Sequence, residues 1–252
     1  MPAPLSKGRL KLYRSYRQKK VRDREGLFVA EGPKIAEELL RHRPGAVRAV
    51  CALDDWWRDY PFLSDEFAGN SYAVKPAELD QLSNFKTPNQ VWLLVDRPVA
   101  TLDTALAQTQ PILYLDGLQD PGNVGTILRT ADWFGFRQVV CAPGTVDVYH
   151  PRATQASMGA FLRVNAPELS ISALREALPG LPVYATVLDG TPLDSATLPP
   201  AGIYGIGNEG NGLSLPFLEH STHRLTIPGG GGAESLNAAV AAGILCAALH
   251  RR

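Results

Sequence analysis

The sequence predicts an α/β protein with two domains, the second built on a mostly parallel sheet. Short apolar segments alternate with stretches of helical periodicity through both halves of the chain, which is typical of layered α/β domains. Residues 112–115 are uninterrupted apolar, as in the buried strands of parallel sheets. Residues 98–110 begin with a proline, precede another, and are poor in large apolar side chains. We therefore predict a small N-terminal domain over residues 1–97, a linker over 98–110 and a second domain over 111–252.

The composition is that of a globular protein, because 45% of the 252 residues are apolar and 20% are charged. A mostly disordered chain is excluded. Although Lys+Arg and Asp+Glu both number 25, the first 100 residues hold 17 basic and 13 acidic side chains. Nine of the basic side chains lie between Lys7 and Arg24. We therefore expect one part of the protein to contact a polyanion.

The cysteines and the apolar segments indicate the compartment. Cys51, Cys141 and Cys246 are far apart and form no CxxC pair, which favours a reducing compartment over a disulfide framework or a thiolate metal site. No apolar run follows the basic N-terminus, and the longest apolar segment, residues 236–249, is too short to cross a bilayer. We expect a soluble cytoplasmic protein without a membrane partner or a metal, in which residues 236–249 form a buried helix.

The first domain opens with a basic segment in which Leu10, Tyr13 and Tyr16 recur at roughly helical spacing. Pro33 suits the first turn of a helix, and Asp54 and Asp55 can cap another. The strands of this domain are predicted at residues 27–30, 46–53, 72–74 and 91–95, and the helices between them at 33–40, 54–67 and 77–82.

The second domain is predicted to have its strands at residues 112–115, 139–141, 183–187, 202–206 and 224–227, and its helices at 124–134, 174–178 and 236–249. Ligands of open parallel sheets bind at the carboxyl ends of the strands. Three loops rich in glycine and polar residues follow strands here, at residues 116–123, 207–212 and 228–237. We place the candidate site where these three loops meet.

The first of these loops leads into a helix that carries two candidate residues. Asn123 lies at or next to the helix start, where its side chain can act as a cap. Arg129 follows six residues later, under two turns, so that the two side chains can face roughly the same side. The free N–H groups at the helix start suit an anion. By itself, the segment is more simply explained as a capped core helix with a solvated arginine.

The other two loops combine glycine with polar side chains. Gly207, Gly210 and Gly212 permit close approach of the backbone to a ligand, and Glu209 lies among them. The third loop contains four consecutive glycines before Ser235, which together with Asn237 can cap the last helix; a tight turn or a flexible hairpin would explain either loop alone. A nucleotide-binding oxidoreductase is disfavoured because these glycines follow a late strand, and a P-loop NTPase because no GxxxxGK[ST] occurs.

Taken together and in this order, the segments DPGNVGTILRTADWFG, IYGIGNEGNGLS and IPGGGGAESLNAAVA resemble the three motifs of the SpoU (TrmH-like) family of RNA ribose 2′-O-methyltransferases, a branch of the SPOUT superfamily. The resemblance covers residues 111–252 and includes residues 150–159. Residues 24–34 are similar to a small RNA-binding domain that many members carry and that resembles a ribosomal protein fold.

The resemblance implies the methyl donor, the topology and the partners. The donor would be S-adenosyl-L-methionine, with S-adenosyl-L-homocysteine as product, and the C-terminal part would form a deep trefoil knot. Members are homodimers that bind RNA. For this chain the front domain favours large-subunit rRNA, while a tRNA 2′-O-methyltransferase and a non-catalytic RNA-binding relative remain alternatives.

The resemblance also implies site residues. The catalytic positions of the family fall on Arg129, Asn123, Glu209, Ser235 and Asn237. Its donor-binding positions fall on Ile206, Gly207, Asn208, Gly210, Leu225, Ile227, Pro228, Ser235, Leu236 and Asn237. Arg129 would either take the ribose proton with help from a substrate phosphate or grip that phosphate and stabilise the developing alkoxide. We favour the second role because a guanidinium resists deprotonation. Glu209 would orient Arg129 or a loop.

Contacts with RNA phosphates are expected mainly from the basic N-terminal block. The residues concerned are Lys7, Arg9, Lys11, Arg14, Arg17, Lys19, Lys20, Arg22 and Arg24. Arg152 is added because this chain has Gln155 where many relatives carry an arginine.

Overall fold

A computed structural model describes residues 2–67 and 69–250 of the chain. The elements of the first part are β1 (Ala3–Pro4), α1 (Lys7–Ser15), α2 (Lys19–Glu25), β2 (Leu27–Glu31), α3 (Pro33–His42), β3 (Val47–Ala52), α4 (Asp54–Asp59), α5 (Leu63–Glu66), β4 (Ser71–Ala73), α6 (Pro76–Leu82) and β5 (Val91–Asp96). They continue with α7 (Thr104–Ala107), β6 (Pro111–Asp116), α8 (Pro121–Trp133), β7 (Val139–Cys141), α9 (Pro151–Ser157), α10 (Ile171–Ala177), β8 (Val183–Pro192), β9 (Gly202–Gly207), α11 (Leu215–His220), β10 (His223–Thr226) and α12 (Ala238–His250).

These elements form two units. The first contains the chain up to Pro98 together with Tyr149–Gly159, and the second contains Val99–Val148 and the chain from Ala160 onward. The first unit ends at Pro98, next to residue 97, where the sequence places the end of the N-terminal domain. The domain bounds themselves stay a prediction. The segment Tyr149–Gly159, in contrast, interrupts the range 111–252 assigned to the second domain, because Tyr149 packs on Phe28 and α9 packs on β2.

The first unit is a mixed five-stranded sheet with the order β1-β4-β3-β5-β2, in which β5 is antiparallel to both of its neighbours. The predicted strands and helices are present, with two differences. The helix expected over residues 54–67 is divided into α4 and α5, because Pro61 has no N–H to continue α4. The two-residue strand β1 has no pattern in the sequence that would indicate it.

The second unit confirms the predicted parallel sheet. Its order is β10-β8-β9-β6-β7, and all four strand pairs are parallel. The register between β8 and β10 shifts within the pair. Arg224 pairs with Ala185, whereas the next residue, Leu225, pairs with Thr191. The trefoil knot implied by the resemblance stays a prediction.

The helices α8 and α12 lie side by side and run in the same direction. Asn237 contacts Asn123 near the start of both helices, and His250 contacts Phe134 near their ends. The expectation of a buried closing helix is only partly met, because the side of α12 that does not face its neighbours is open. Val240 is 50% exposed and Ile244 is 38% exposed. Leu236, just before the helix, is 47% exposed.

Two further expectations concern membrane-spanning helices and disulfides. No helix in the described ranges combines the length and the apolar character that crossing a bilayer requires. All three cysteines are buried and free.

Candidate active site at the carboxyl edge of the parallel sheet

The first loop of the site turns into α8 at Asp120, which is the residue that caps the helix. The Asp120 carboxylate accepts from the backbone N–H groups of Gly122 at 2.6 Å and Asn123 at 3.2 Å. The expectation that Asn123 is the cap is therefore wrong, since Pro121 at the first helical position starts the helix earlier. The amide of Asn123 lies within the first turn and is available for contacts outside the helix.

Glu209, in the second loop, holds the first loop. Its carboxylate accepts from Asn123 Nδ2 at 2.9 Å and from the backbone N–H groups of Gln119 at 3.3 Å and Asp120 at 3.4 Å. Partial burial raises the pKa of Glu209, but the hydrogen bonds that it accepts outweigh this, so that the pKa lies below its ordinary value. Of the two roles expected for Glu209, the geometry supports orienting a loop.

Asn237 connects the third loop to the same amide. Its Nδ2 donates to Asn123 Oδ1 at 3.0 Å, while its own Oδ1 accepts from the N–H groups of Ala239 at 2.9 Å and Val240 at 3.3 Å. Asn237 therefore caps α12, as predicted, and also links that helix to α8. The chain Glu209–Asn123–Asn237 joins all three loops.

Arg129 lies on a different side of α8 from Asn123. Six helical residues turn a side chain by about 240°, so the two side chains leave the helix about 120° apart. The expectation that both face the same side is therefore wrong: Asn123 faces the loops, whereas Arg129 is exposed together with Thr126 and Trp133. Among the described residues Arg129 has no hydrogen-bond or ion-pair partner, and its guanidinium is available to a ligand.

The second loop leaves β9 at a point that only glycine can occupy. A Cβ on Gly207 would lie 2.3 Å from the carbonyl carbon of Gly212. Asn208 fixes the turn, because its Oδ1 accepts from the backbone of Gly210 at 2.9 Å and its Nδ2 donates to the carbonyl of Gly117 at 2.8 Å. Backbone N–H and C=O groups of this loop are thus brought close to the first loop.

The remaining donor-binding candidates divide into buried and exposed positions. The side chains of Ile206 and Leu225 are buried in their strands, so only their backbone groups can face a ligand. Ile227 is half-buried. Pro228, Ser235 and Leu236 are exposed in the third loop, where no described residue forms a hydrogen bond with the Ser235 hydroxyl.

Thr186 is a further candidate site residue, which the sequence reasoning did not name. It directly follows Ala185, the last residue of β8 that pairs with β9. Its Oγ1 is buried and has no hydrogen-bond partner among the described residues. Buried hydroxyls are normally paired, so this atom is suited to a ligand group. The available signal was a polar residue directly after the apolar segment Val183–Ala185.

Comparisons with known proteins identify the family of the chain. Residues 110–247 match the model of the SpoU rRNA Methylase family, and residues 7–92 match the MRM3-like substrate binding domain. The 23S rRNA (guanosine(2553)-2′-O)-methyltransferase RlmP of Bacillus subtilis is 31% identical over 241 residues, which cover 94% of this chain and 94% of RlmP.

The chain belongs to the SpoU rRNA methylase family.

Solved structures of the family agree. A TrmH-family structure from Porphyromonas gingivalis is 37% identical with a TM-score of 0.82, covering 99% of both chains. The SpoU methyltransferase AviRb from Streptomyces viridochromogenes, solved in complex with the cofactor AdoMet, is 25% identical with a TM-score of 0.82, covering 98% of both chains. The prediction of a SpoU-type RNA methyltransferase with an N-terminal substrate-binding domain is confirmed.

In the substrate-binding domain of this SpoU methylase, one of the predicted RNA contacts, Arg22, is wrong. Arg22 is 3% exposed, and its guanidinium donates to the backbone carbonyls of Tyr16 at 2.9 Å and Arg17 at 3.0 Å. Arg22 therefore holds the turn between α1 and α2, and we remove it from the phosphate-binding set.

Other basic side chains of the block are exposed but partly engaged. Arg9 donates to the carbonyl of Gly69 and lies 4.9 Å from the Tyr72 ring centroid. Lys19 pairs with Asp23 and Arg24 with Glu25. In contrast, Lys7, Lys11 and Arg14 follow one another at i, i+4 and i+7 along α1, and the described residues offer their side chains no ion pair. These three residues are called the basic stripe below.

In the described ranges of this SpoU methylase, no cluster of three or more His, Cys, Asp or Glu side chains has a geometry that could hold a metal ion. The predicted absence of a metal stays a prediction.

Replacing Asn123 by Ala should raise the pKa of Glu209 toward its ordinary value, because the carboxylate loses its side-chain donor. In the wild type the lowered pKa adds stability that is present above the unfolded-state pKa and is lost as the pH falls through the folded-state pKa. The acid-side loss of stability should therefore shrink in Asn123→Ala. An NMR titration of the Glu209 carboxyl measures the pKa. Asn211→Ala, at an exposed position in the same loop, is the control, and an unchanged pKa in Asn123→Ala would contradict the assignment.

Proposed function

We propose that this protein transfers a methyl group from S-adenosyl-L-methionine to the 2′-hydroxyl of a ribose in large-subunit rRNA. The observation that carries the proposal is the joining of the three family motifs by the chain Glu209–Asn123–Asn237. The similarity to RlmP over nearly the whole length of both chains supports 23S rRNA as the substrate class and the ribose oxygen as the acceptor.

The loops contain the groups that an adenosyl ligand needs. Purine and ribose edges are recognised by donors and acceptors at close range, and backbone groups of the glycine-containing loops at residues 207–212 and 228–232 can provide them. The buried, unpartnered hydroxyl of Thr186 adds a further donor and acceptor beside β9. The AdoMet complex of AviRb supports the same ligand. When bound, S-adenosyl-L-methionine supplies an electrophilic methyl group on a sulfonium.

In this proposal Arg129 binds the RNA phosphate next to the target ribose. A guanidinium forms bidentate hydrogen bonds with phosphate and remains charged at every working pH. From there it would stabilise the negative charge that develops on the 2′-oxygen as its proton leaves to a water or a phosphate oxygen. The absence of a partner for Arg129 among the described residues supports a role toward a ligand.

Asn123, Glu209 and Asn237 act in the proposal as positioning residues. A methyl transfer requires the attacking oxygen within about 3–3.5 Å of the methyl carbon, and small displacements of a loop reduce the rate strongly. The hydrogen-bond chain maintains that alignment. The exposed hydroxyl of Ser235, two residues before Asn237, would contact the donor or the target ribose.

We further propose that the protein acts as a homodimer through the open side of α12. Leu236, Val240 and Ile244 are exposed at four-residue spacing, and Trp133 of the neighbouring α8 is 83% exposed. Several exposed apolar side chains on two packed helices favour an interaction site. Because α8 carries Arg129 and α12 is linked to α8 through Asn237 and Asn123, a second copy on this face would lie beside the candidate site.

Arg129→Ala should lower methyl transfer about 100-fold or more, the loss typical of removing one transition-state donor, while S-adenosyl-L-methionine still binds. The rate is measured as tritium transferred to a 23S rRNA transcript and, separately, to bulk tRNA. Donor affinity is measured by calorimetry. Arg137→Ala, another exposed arginine of the second unit, is the control. A fully active Arg129→Ala enzyme would refute the assigned role. A wild type that binds the donor yet methylates tRNA only, or no RNA, would refute the proposed function.

Replacing Lys7, Lys11 and Arg14 together by Gln should weaken rRNA binding and reduce the slope of log affinity against log salt by about one for each phosphate that is no longer neutralised. Filter binding between low and moderate salt concentrations measures both quantities. The matched control replaces Arg41, Arg58 and Lys75, which lie outside the block. Equal losses of affinity in both triple variants would show a general charge effect and sink the stripe as a binding site.

Val240→Glu combined with Ile244→Glu should convert the dimer into a monomer of 27.3 kDa, because two carboxylates cannot be buried unpaired at an interface. Light scattering at micromolar concentration gives the mass. Leu215→Glu, at a 74% exposed apolar position away from α12, serves as the control. A wild type with the mass of one subunit would overturn the dimer.

A further inference from the structure

The segment Tyr149–Gly159 belongs by sequence to the methyltransferase part of the chain and by packing to the substrate-binding unit. Its first residue is buried against that unit. The ring centroids of Tyr149 and Phe28 are 4.9 Å apart, and the two side chains are 7% and 1% exposed. The segment is therefore anchored on β2 by an aromatic contact.

Arg97 is a second residue that contacts Tyr149. Its guanidinium carbon lies 5.1 Å from the Tyr149 ring centroid, and its Nη1 lies 3.3 Å from Asp23 Oδ1 on α2. Asp23 also accepts from Lys19. A cation over an aromatic face is attracted by the ring quadrupole. Arg97 thereby connects the basic helix α2 to the start of the segment.

The far end of the segment is fixed by shape. Gly159 has a φ of +89°, and a Cβ there would approach Glu38 Cγ of α3 to 3.1 Å. Between the two anchors, α9 buries Pro151, Ala153, Thr154 and Ser157. This leaves Arg152 exposed, with its backbone N–H bonded to His150 Nδ1 at 3.2 Å.

We propose that Arg97 and Tyr149 are positioning residues that hold α9 so that Arg152 forms one RNA-binding surface with the basic α2. The inference rests on the proposed function, because it takes RNA as the ligand. Arg152 is an exposed guanidinium whose side chain has no hydrogen-bond or ion-pair partner among the described residues. An arginine that binds a phosphate can fix the position of the protein along the RNA only when the backbone that carries it is itself held in place. The anchored α9 holds the backbone of Arg152 in this way. Arg97 acts through α9 without touching RNA.

A double-mutant cycle on RNA binding tests the proposal. Affinity of the full-length protein for a 23S rRNA transcript is measured over a salt series for Arg97→Met, Arg152→Ala and the double variant. Arg152→Ala should weaken binding several-fold and reduce the salt slope by about one. Arg97→Met should weaken binding by a similar factor, and the double variant should be no weaker than Arg152→Ala alone. Arg48→Met is the matched control, since Arg48 is an exposed arginine paired with Asp96 of the same unit.

Two Tyr149 variants add a second readout. Tyr149→Phe keeps the ring and should bind RNA as the wild type does, whereas Tyr149→Leu should reproduce Arg97→Met. Additive losses of affinity in the Arg97/Arg152 double variant, each with its own change of salt slope, would show that Arg97 contacts RNA directly and would overturn the positioning role. An Arg152→Ala protein that binds normally would overturn the shared surface. Failure of the proposed function is separate, because it appears as a wild type that methylates no rRNA.

Discussion

The candidate site depends on the side-chain amide of Asn123. Its Nδ2 donates to Glu209 and its Oδ1 accepts from Asn237, so a single side chain is bonded to both other loops. Aspartate could not donate to a carboxylate, and an apolar residue of the same size could do neither. The amide is also held by the backbone of α8, whose start is fixed by Asp120. The positions of three loops are thereby coupled to one helix.

The parallel sheet explains why these loops lie together. β6 and β9 are neighbours that pair from Pro111 with Gly202 to Asp116 with Gly207, so the loops that follow them leave the same edge. The buried carboxylate of Asp116, at the end of β6, accepts from the N–H of Ser214 at 2.7 Å. This hydrogen bond holds the end of the second loop against β6. With the sheet fixing the strand ends, hydrogen bonds of the loops only need to set local geometry.

Most of the elements could be predicted because their signals are local. The apolar strands 112–115 and 202–206 and the proline-initiated helix α3 follow from composition and spacing alone. The helix cap at Asp120 could not be chosen over Asn123, since both residues cap well and only the tertiary structure shows which one Glu209 requires. The family motifs located the candidate residues, but not the direction in which Arg129 points.

Non-local contacts account for the remaining differences. A block of basic residues does not reveal that the guanidinium of Arg22 is consumed by backbone carbonyls, because those carbonyls are exposed only by the turn after α1. Likewise, nothing local in the sequence assigns Tyr149–Gly159 to the first unit, since the assignment depends on Phe28 and Arg97, which are distant along the chain.

The two halves of the chain differ in charge. Residues 101–252 carry 8 basic and 12 acidic side chains, so this half repels phosphate overall. In the proposed function, affinity for RNA therefore comes mainly from the first half. In the proposed function, Arg129 acts locally, at the phosphate beside the reacting hydroxyl.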